Sequence, residues 1–345
     1  MAPASAADTR PLYALLAATI ALAIVGGAWA SDRAALSASH AWIVANEPIL
    51  ATLAVASLSV LGAGFLLRSH PRRHDVRMAG WILFSAYWPL QAAGFFLQRD
   101  EFNAYATLLS PVLFGYLAYH EWLSKRWGED PSPLRWIAGT AFVAGATYFA
   151  IYKMPPVTDF IIHQVALQSS FLANVLFGLQ TSVYVDPGAL DPEARFHVCM
   201  DLSAVCPPGA AAYAVTIILA CTAIQSIMIF VGAIYATDGG AAIRRYKAYL
   251  YTVPIIYFLN LFRNAGIVYG YKVLGLDFDL MHNWVGKGGS LLALVVIALA
   301  LFRVLPELHD NVLGVMDLWK RTKPGFFGKP PGGAAPSPPA GASEV

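Results

Sequence analysis

Long apolar segments dominate this chain and restrict it to a helical membrane fold. Several segments contain about 20 consecutive apolar residues, the length that an α-helix needs to cross the hydrocarbon core of a bilayer. Hydrophobic residues make up 57% of the 345 residues and charged residues only 13%, whereas soluble domains carry about 25% charged residues. The sequence therefore predicts an all-α fold, a polytopic bundle of transmembrane helices.

We predict about eight spans and one further helix that does not cross the membrane. The apolar runs that define the spans are 11–30, 44–67, 78–97, 104–123, 135–152, 211–235, 249–270 and 288–305. Residues 159–180 are also apolar, but several polar side chains interrupt them, which is typical of an interfacial or re-entrant external helix. The first span ends in Ala28-Trp29-Ala30, as signal-peptidase sites do, so cleavage there is the alternative to a retained helix.

The spans belong to one domain with a polar external segment and a low-complexity tail. We expect residues 1–323 to form a single integral membrane domain, with a motif-bearing core at 211–305 and an external loop region at 153–210. Residues 324–345 are rich in Gly, Pro, Ala and Ser. That composition cannot bury enough apolar surface to order a chain, so it predicts a disordered cytoplasmic tail.

Basic residues alternate from loop to loop. The loops rich in Lys and Arg lie at 68–77, 124–134 and 237–248, and the opposite loops have few basic residues for their length. By the positive-inside rule the basic loops are cytoplasmic, so both termini are cytoplasmic and 153–210 is external. The formal net charge of +2 gives no reason to expect a nucleic-acid partner. The sequence contains no phosphate-binding loop or dinucleotide motif, so we predict no cofactor.

Three reactive side chains lie in or beside the last three spans. Cys221 is inside the sixth span, Arg263 interrupts the seventh, and His282 precedes the eighth. An Arg at the centre of a membrane helix costs about 2.5–3.5 kcal/mol on insertion scales, so such groups are functional candidates. Counting from the predicted span ends places Cys221 about 15 Å and Arg263 about 10 Å below the outer surface. A nucleophile, an anion stabiliser and an acid/base can therefore meet in the outer half of the bundle.

Each of these residues also has a structural explanation. A membrane Cys is usually a small packing residue, an Arg near a helix end can reach the membrane surface, and His282 can be an ordinary loop histidine. Their combination favours an enzyme, because a free thiol has a pKa of about 8.5 and needs a nearby cation or base to become the nucleophilic thiolate. A developing oxyanion likewise needs a fixed donor, which a guanidinium provides.

Other polar residues could support the three. Gln225 lies one turn after Cys221, Asn260 and Asn264 flank Arg263, and Asp277 or Asp279 could orient His282. The alternatives are polar packing, ties between helices and solvated loop acids. In the external segment, Cys199 and Cys206 can form a disulfide or remain free thiols. A metal site there with His197 lacks an evident fourth ligand, so no metal is predicted.

Three short motifs in the last spans occur in a fixed order. They are Ala-Cys-Thr-Ala-Ile-Gln-Ser at 220–226, Asn-Leu-Phe-Arg-Asn at 260–264 and His-Asn-Trp at 282–284. With these motifs the chain resembles the exosortase/archaeosortase family of multi-pass membrane transpeptidases, over roughly 215–305. The resemblance implies that Cys221 is the nucleophile, Arg263 the anion stabiliser and His282 the general acid/base. The archaeal branch often has Arg at the third position, where this chain has His282.

The resemblance also implies substrates and a place of action. Family members cleave C-terminal sorting signals of secreted proteins, each made of a short motif, a transmembrane helix and a basic cluster. The new carboxyl end is then joined to a lipid or other cell-surface acceptor. The active site would lie toward the extracytoplasmic side of the cell membrane. The main alternative is a transporter or channel, although the sequence shows no internal repeat, paired broken helices or set of midplane charges.

The alternation of basic residues gives a testable topology. In a Cys-free background, Arg72→Cys and Arg245→Cys should be protected from a membrane-impermeant maleimide in intact cells, because both loops are predicted to be cytoplasmic. Asp186→Cys, in the predicted external region, should be labelled. Labelling of Arg72→Cys or Arg245→Cys from outside would overturn the predicted orientation.

Overall fold

The computed structural model describes residues 10–189, 195–200, 213–321 and 323–327, which form a bundle of helices with one small sheet. The helices are α1 (Arg10–Ser31), α2 (Arg33–Ala45), α3 (Glu47–Leu66), α4 (Arg73–Tyr87), α5 (Ala92–Leu97), α6 (Glu101–Trp127), α7 (Ser132–Tyr152), α8 (Pro155–Phe177), α9 (Ile224–Ala236), α10 (Ala242–Lys272), α11 (Lys287–Val304) and α12 (Pro306–Met316). The prediction of a helical membrane protein is confirmed.

Five of the described helical segments are long and apolar enough to cross a membrane. They are Ala14–Ser31, Glu47–Leu66, Ser132–Tyr152, Pro155–Phe177 and Leu280–Val304. α9 is apolar but has only 13 residues. α6 and α10 have 27 and 31 residues but contain more polar side chains, and a 3₁₀ turn with Pro89 separates α4 from α5. The number of eight spans therefore stays a prediction.

A three-stranded antiparallel sheet is formed by two segments of the predicted external region and the first part of the predicted sixth span. Its strands are β1 (Ser182–Val185), β2 (Phe196–Cys199) and β3 (Tyr213–Ile217), with β2 in the centre. Apolar side chains of β2 and β3 pack with Ile162 and Val165 of α8 in one buried cluster, which also includes Cys221. The sheet thus joins α8 to the segment that leads into the candidate site.

The prediction of one continuous helix over 211–235 was wrong in its first half. β3 is followed by a 3₁₀ turn at Leu219–Cys221, and α9 begins only at Ile224. The β-branched residues Val215 and Ile217 explain the difference, because they fit a pleated strand and both are buried. Cys221 therefore precedes the N-terminus of a helix, and a depth counted along an uninterrupted helix does not apply to it.

The predicted external helix is a continuous one, α8. It contacts α10 through Gln168 with Tyr257, Ser169 with Asn264 and Phe177 with Tyr269. These contacts follow the same order along both helices, so α8 and α10 run in the same direction.

The direction of α8 relative to α7 indicates whether α8 returns across the membrane as a further span. Trp136 of α7 contacts Ala233 and Tyr148 contacts Gln225, so α9 runs antiparallel to α7. α10 then runs antiparallel to α9, since Tyr249 reaches Val231 while Asn260, further along α10, reaches Cys221, which precedes α9. α7, α8 and α10 consequently share one direction, whereas a returning span after α7 would run opposite to α10. α8 has the length to cross a membrane, but its direction argues against a ninth span that returns across the membrane after α7, in line with the predicted interfacial or re-entrant helix.

Charged side chains near the start of α4, the end of α6 and the start of α7 form ion pairs. Arg77 Nε donates to Glu121 Oε1 at 2.8 Å, and Arg77 Nη2 donates to Asp130 Oδ1 at 2.6 Å. Both Arg77 and Glu121 are fully buried. Asp130 lies between α6 and α7. Burial alone would raise its pKa, but the charge and hydrogen bond of Arg77 hold it below its ordinary value. These ion pairs tie α4 to α6 and to the start of α7.

The start of the predicted disordered tail packs against the bundle. Phe327 contacts the buried cluster that contains Leu134 and Leu318, and the Gly325 amide donates to Glu129 at 2.5 Å. Residues 324–327 therefore differ from the prediction because an aromatic side chain covers the cluster. Residues 328–345 lie outside the described residues, and their disorder stays a prediction.

Candidate active site

Cys221 lies in a strained reversal between β3 and α9. Its side chain is buried, and the turn is closed by a hydrogen bond from the Cys221 amide to the Ile218 carbonyl at 2.8 Å. Ala223 has φ +61°, a left-handed conformation that costs a non-glycine residue about 1–3 kcal/mol and persists only where the surrounding structure enforces it. Since α9 begins at Ile224, the thiol is next to a helix N-terminus, where a thiolate is favoured.

Two amide side chains of α10 hold the backbone of Cys221. Asn260 Nδ2 donates to the Cys221 carbonyl at 2.8 Å, and Asn264 Nδ2 donates to the same oxygen at 3.1 Å. Both asparagines are buried. The sequence suggested that these residues orient Arg263, but their main contact is with Cys221. They attach the reversal to the helix that carries Arg263.

Arg263 is the charged residue of α10 at this depth. Its Nη1 makes a long hydrogen bond to Asn264 Oδ1 at 3.4 Å, and its buried Nε has no hydrogen-bond partner in the described part of the chain. The guanidinium interacts electrostatically with both Cys221 and His282. Because most of its donors are uncommitted, the guanidinium can accept a new anionic partner, such as an oxyanion.

His282 lies in a π-helical turn, Leu280–Gly286, directly before α11. Such turns are rare and frequently occur at functional sites. The imidazole stacks on Phe278, with ring centres 5.3 Å apart and an interplanar angle of 14°. Among the described residues no hydrogen bond joins His282 to Cys221, and the two are linked through cations that interact with both, Arg263 and Lys287.

The remaining sequence candidates have different surroundings. Gln225 Nε2 donates to the Tyr148 hydroxyl of α7 at 3.0 Å, so it ties α9 to α7. Asp279 is exposed and interacts electrostatically with His282, whereas the Asp277 carboxylate accepts from the Leu280 amide at 3.0 Å and caps the π-helical turn. Their predicted roles at the site stay predictions.

Cys199 and Cys221 are in different chemical states, since Cys221 is a free thiol. Cys199 is buried at the end of β2 and disulfide-bonded. Cys206 lies outside the described residues, so the pairing of these two stays a prediction. Neighbouring His197 contacts Thr216 Oγ1 at 2.9 Å, and burial lowers its pKa. The described residues contain no group of three His, Cys, Asp or Glu side chains that could hold a metal.

Two residues at the site were missed as candidates. Lys287, the first residue of α11, interacts electrostatically with Cys221 and His282, and Asp100 interacts with His282. The available signal was their position, since both flank predicted spans on the same side of the membrane. Their separation in sequence concealed that they meet.

A glycine allows the π-helical turn to approach Arg263. A Cβ atom added to Gly286 would lie 3.0 Å from Arg263 Nε and 3.0 Å from the Met281 carbonyl oxygen. At Gly288, two residues later, the same atom would meet nothing within 4 Å. Gly286 thus sets the position of the guanidinium relative to His282.

Comparisons with known proteins agree with the sequence resemblance. Residues 208–302 match the family model described as transmembrane exosortase (Exosortase_EpsH). Archaeosortase A of Haloferax volcanii is 26% identical over 233 residues, which cover 64% of this chain and 70% of that protein. No solved structure matches the chain. The chain is therefore exosortase/archaeosortase-like, and that class consists of membrane-embedded processing peptidases and transpeptidases.

The contact at Gly286 gives a prediction about the thiol. Gly286→Ala should slow alkylation of Cys221 by iodoacetamide about threefold or more at neutral pH, because a displaced guanidinium stabilises the thiolate less. The rate is measured on the Cys221 peptide by mass spectrometry. Gly288→Ala is the matched control and should react like the wild type. Equal rates in both variants would show that Gly286 does not position Arg263.

Proposed function

We propose that this chain is a membrane-embedded cysteine transpeptidase that cleaves C-terminal sorting signals of secreted proteins. The new carboxyl terminus is transferred to a lipid or other cell-surface acceptor. The observation that carries the proposal is the buried Cys221 thiol at the N-terminus of α9, within electrostatic range of the uncommitted Arg263 guanidinium. A packing cysteine needs neither a helix N-terminus nor a buried cation beside it.

In the first half-reaction, Cys221 attacks the scissile carbonyl. His282 accepts the thiol proton, the sulfur–carbon bond forms, and the carbonyl oxygen becomes an oxyanion. The Arg263 guanidinium stabilises this charge as a preorganised donor. His282 then returns the proton to the leaving amine as the carbon–nitrogen bond breaks. The product is a thioester on Cys221, and the released fragment carries the transmembrane helix and basic cluster of the signal.

In the second half-reaction, the acceptor takes the place of the leaving fragment. An acceptor amine attacks the thioester carbon, its proton passes to His282, and the carbon–sulfur bond breaks to restore the thiolate. Burial of Cys221 limits access of water. Exclusion of water protects the thioester from hydrolysis and favours transfer to the acceptor.

The proposed site faces the extracytoplasmic side of the cell membrane. The alternation of basic loops supports this orientation, with both termini in the cytoplasm. α10 carries the basic residues Arg244 and Arg245 in its first turn and reaches the site beyond its midpoint, at Asn260 and Asn264. A substrate anchored by its own C-terminal helix can then enter laterally from the bilayer, on the side to which secreted proteins are delivered.

The proposal is tested by processing of sorting signals in cells. Cys221→Ser should abolish processing, and Arg263→Lys should reduce it by about 10²–10³, the loss typical of one oxyanion donor, because Lys lacks the planar, permanently charged fork of Arg. Secreted proteins that retain their C-terminal helices would be counted by peptide mass spectrometry, with enzyme levels compared by immunoblot.

The external cysteines provide the control. Cys199→Ser combined with Cys206→Ser should retain the chemistry, with any loss explained by reduced protein. Near wild-type processing by Cys221→Ser would refute the proposed nucleophile. Processing by Arg263→Lys within a few-fold of wild type would assign Arg263 to structure.

A further inference from the structure

An ion pair connects the first half of the chain to the candidate active site. Lys287 Nζ lies 2.5 Å from Asp100 Oδ2, with side chains only 24% and 15% exposed. Asp100 lies between α5 and α6 and caps α6, because its carboxylate accepts hydrogen bonds from the Asn103 amide at 3.3 Å and from Asn103 Nδ2 at 2.7 Å. The carboxylate is therefore held by α6 and holds Lys287 in turn.

Lys287 occupies the junction between the π-helical turn and α11. It directly follows Gly286, the residue against which Arg263 Nε packs. The ion pair with Asp100 thus joins the end of the turn that carries His282 to the segment before α6. The ion pair lies one residue from this contact, so its loss would be felt at Arg263.

The end of α5 fixes the backbone directly before Asp100. The Arg99 amide donates to the Phe96 carbonyl at 3.2 Å, and the Asp100 amide donates to the Phe95 carbonyl at 2.9 Å. Arg99 has φ +58°, the left-handed conformation that commonly ends a helix in this hydrogen-bond pattern. Asp100 is therefore held between the end of α5 and the start of α6, in a defined position for its contact with Lys287.

We propose that Lys287 and Asp100 are positioning residues of the transpeptidase site. Lys287 is a second cation that stabilises the Cys221 thiolate, and Asp100 is the carboxylate that holds Lys287 in place and partly neutralises its charge. The proposal rests on the function proposed above and deepens it. Among the described residues, the charged groups that interact with the thiol are Arg263 and Lys287, and those that interact with the His282 imidazole are Arg263, Lys287, Asp100 and Asp279. Two cations thus act on one thiol, and Asp100 offsets the charge of one of them, Lys287.

This arrangement predicts opposite effects for the two members of the pair. Lys287→Met removes a positive charge and should slow alkylation of Cys221 at neutral pH about three- to tenfold, with the pH profile moved upward. Asp100→Asn leaves Lys287 uncompensated and should speed alkylation, with the profile moved downward. Lys287→Arg should restore most of the wild-type profile, because it keeps the charge.

The experiment measures iodoacetamide reaction of the full-length protein in native membranes between pH 6 and 10. Mass spectrometry of the Cys221 peptide reports the rate without removal of the other cysteines. The matched control is the exposed ion pair between Lys153 Nζ and Glu47 Oε1, 2.8 Å long. Lys153→Met and Glu47→Gln should leave the profile unchanged.

The outcomes separate this inference from the proposed function. A purely structural pair would give shifts of the same sign in Lys287→Met and Asp100→Asn, or none, and either result would overturn the inference. If Cys221→Ser abolishes processing while the Lys287 and Asp100 variants show no opposite shifts, only the inference fails. If Cys221→Ser still processes sorting signals, the proposed function itself fails, whatever the alkylation profiles show.

Discussion

Two amide side chains of α10 hold the backbone carbonyl of Cys221, and the geometry of the candidate site depends on them. Asn260 and Asn264 are four residues apart, with Arg263 between them, so one stretch of helix carries all three. A buried carbonyl left without a donor costs about 1–3 kcal/mol. The reversal before α9 is therefore fixed to the same turns of α10 that present the guanidinium. The position of the thiol relative to the guanidinium is thus set by the contacts of Asn260 and Asn264 with the Cys221 carbonyl.

Buried charge at the two ends of the bundle has different surroundings. At the end near the basic loops, Arg77 is bonded to Glu121 and Asp130, as expected of a charge with a structural role. At the candidate site Arg263 makes one long hydrogen bond to a neutral amide. Loss of hydration without a compensating carboxylate is costly. A purely structural role therefore does not explain why Arg263 is buried with so few hydrogen bonds.

The sequence predicted the fold class better than the local structure around the candidate site. Composition and span length indicated a helical membrane protein, and the cost of an Arg in lipid pointed to Arg263. The strand Tyr213–Ile217 was predicted as helix because a short apolar run with β-branched residues suits either structure. Hydrogen-bonded pairing with β2 makes this segment a strand. The ion pair of Asp100 with Lys287 could not be predicted. The two residues are far apart in the sequence, and the residues around each of them give no indication that they come into contact.

The most direct test of the account is detection of the acyl-enzyme. The Cys221 peptide would be isolated from membranes of cells that are processing sorting signals, and its mass compared before and after neutral hydroxylamine. The account predicts a substrate-derived acyl group on Cys221 that hydroxylamine releases and that is absent in Cys221→Ser. A Cys221 peptide that stays unmodified during active processing, or an adduct on another residue, would contradict it.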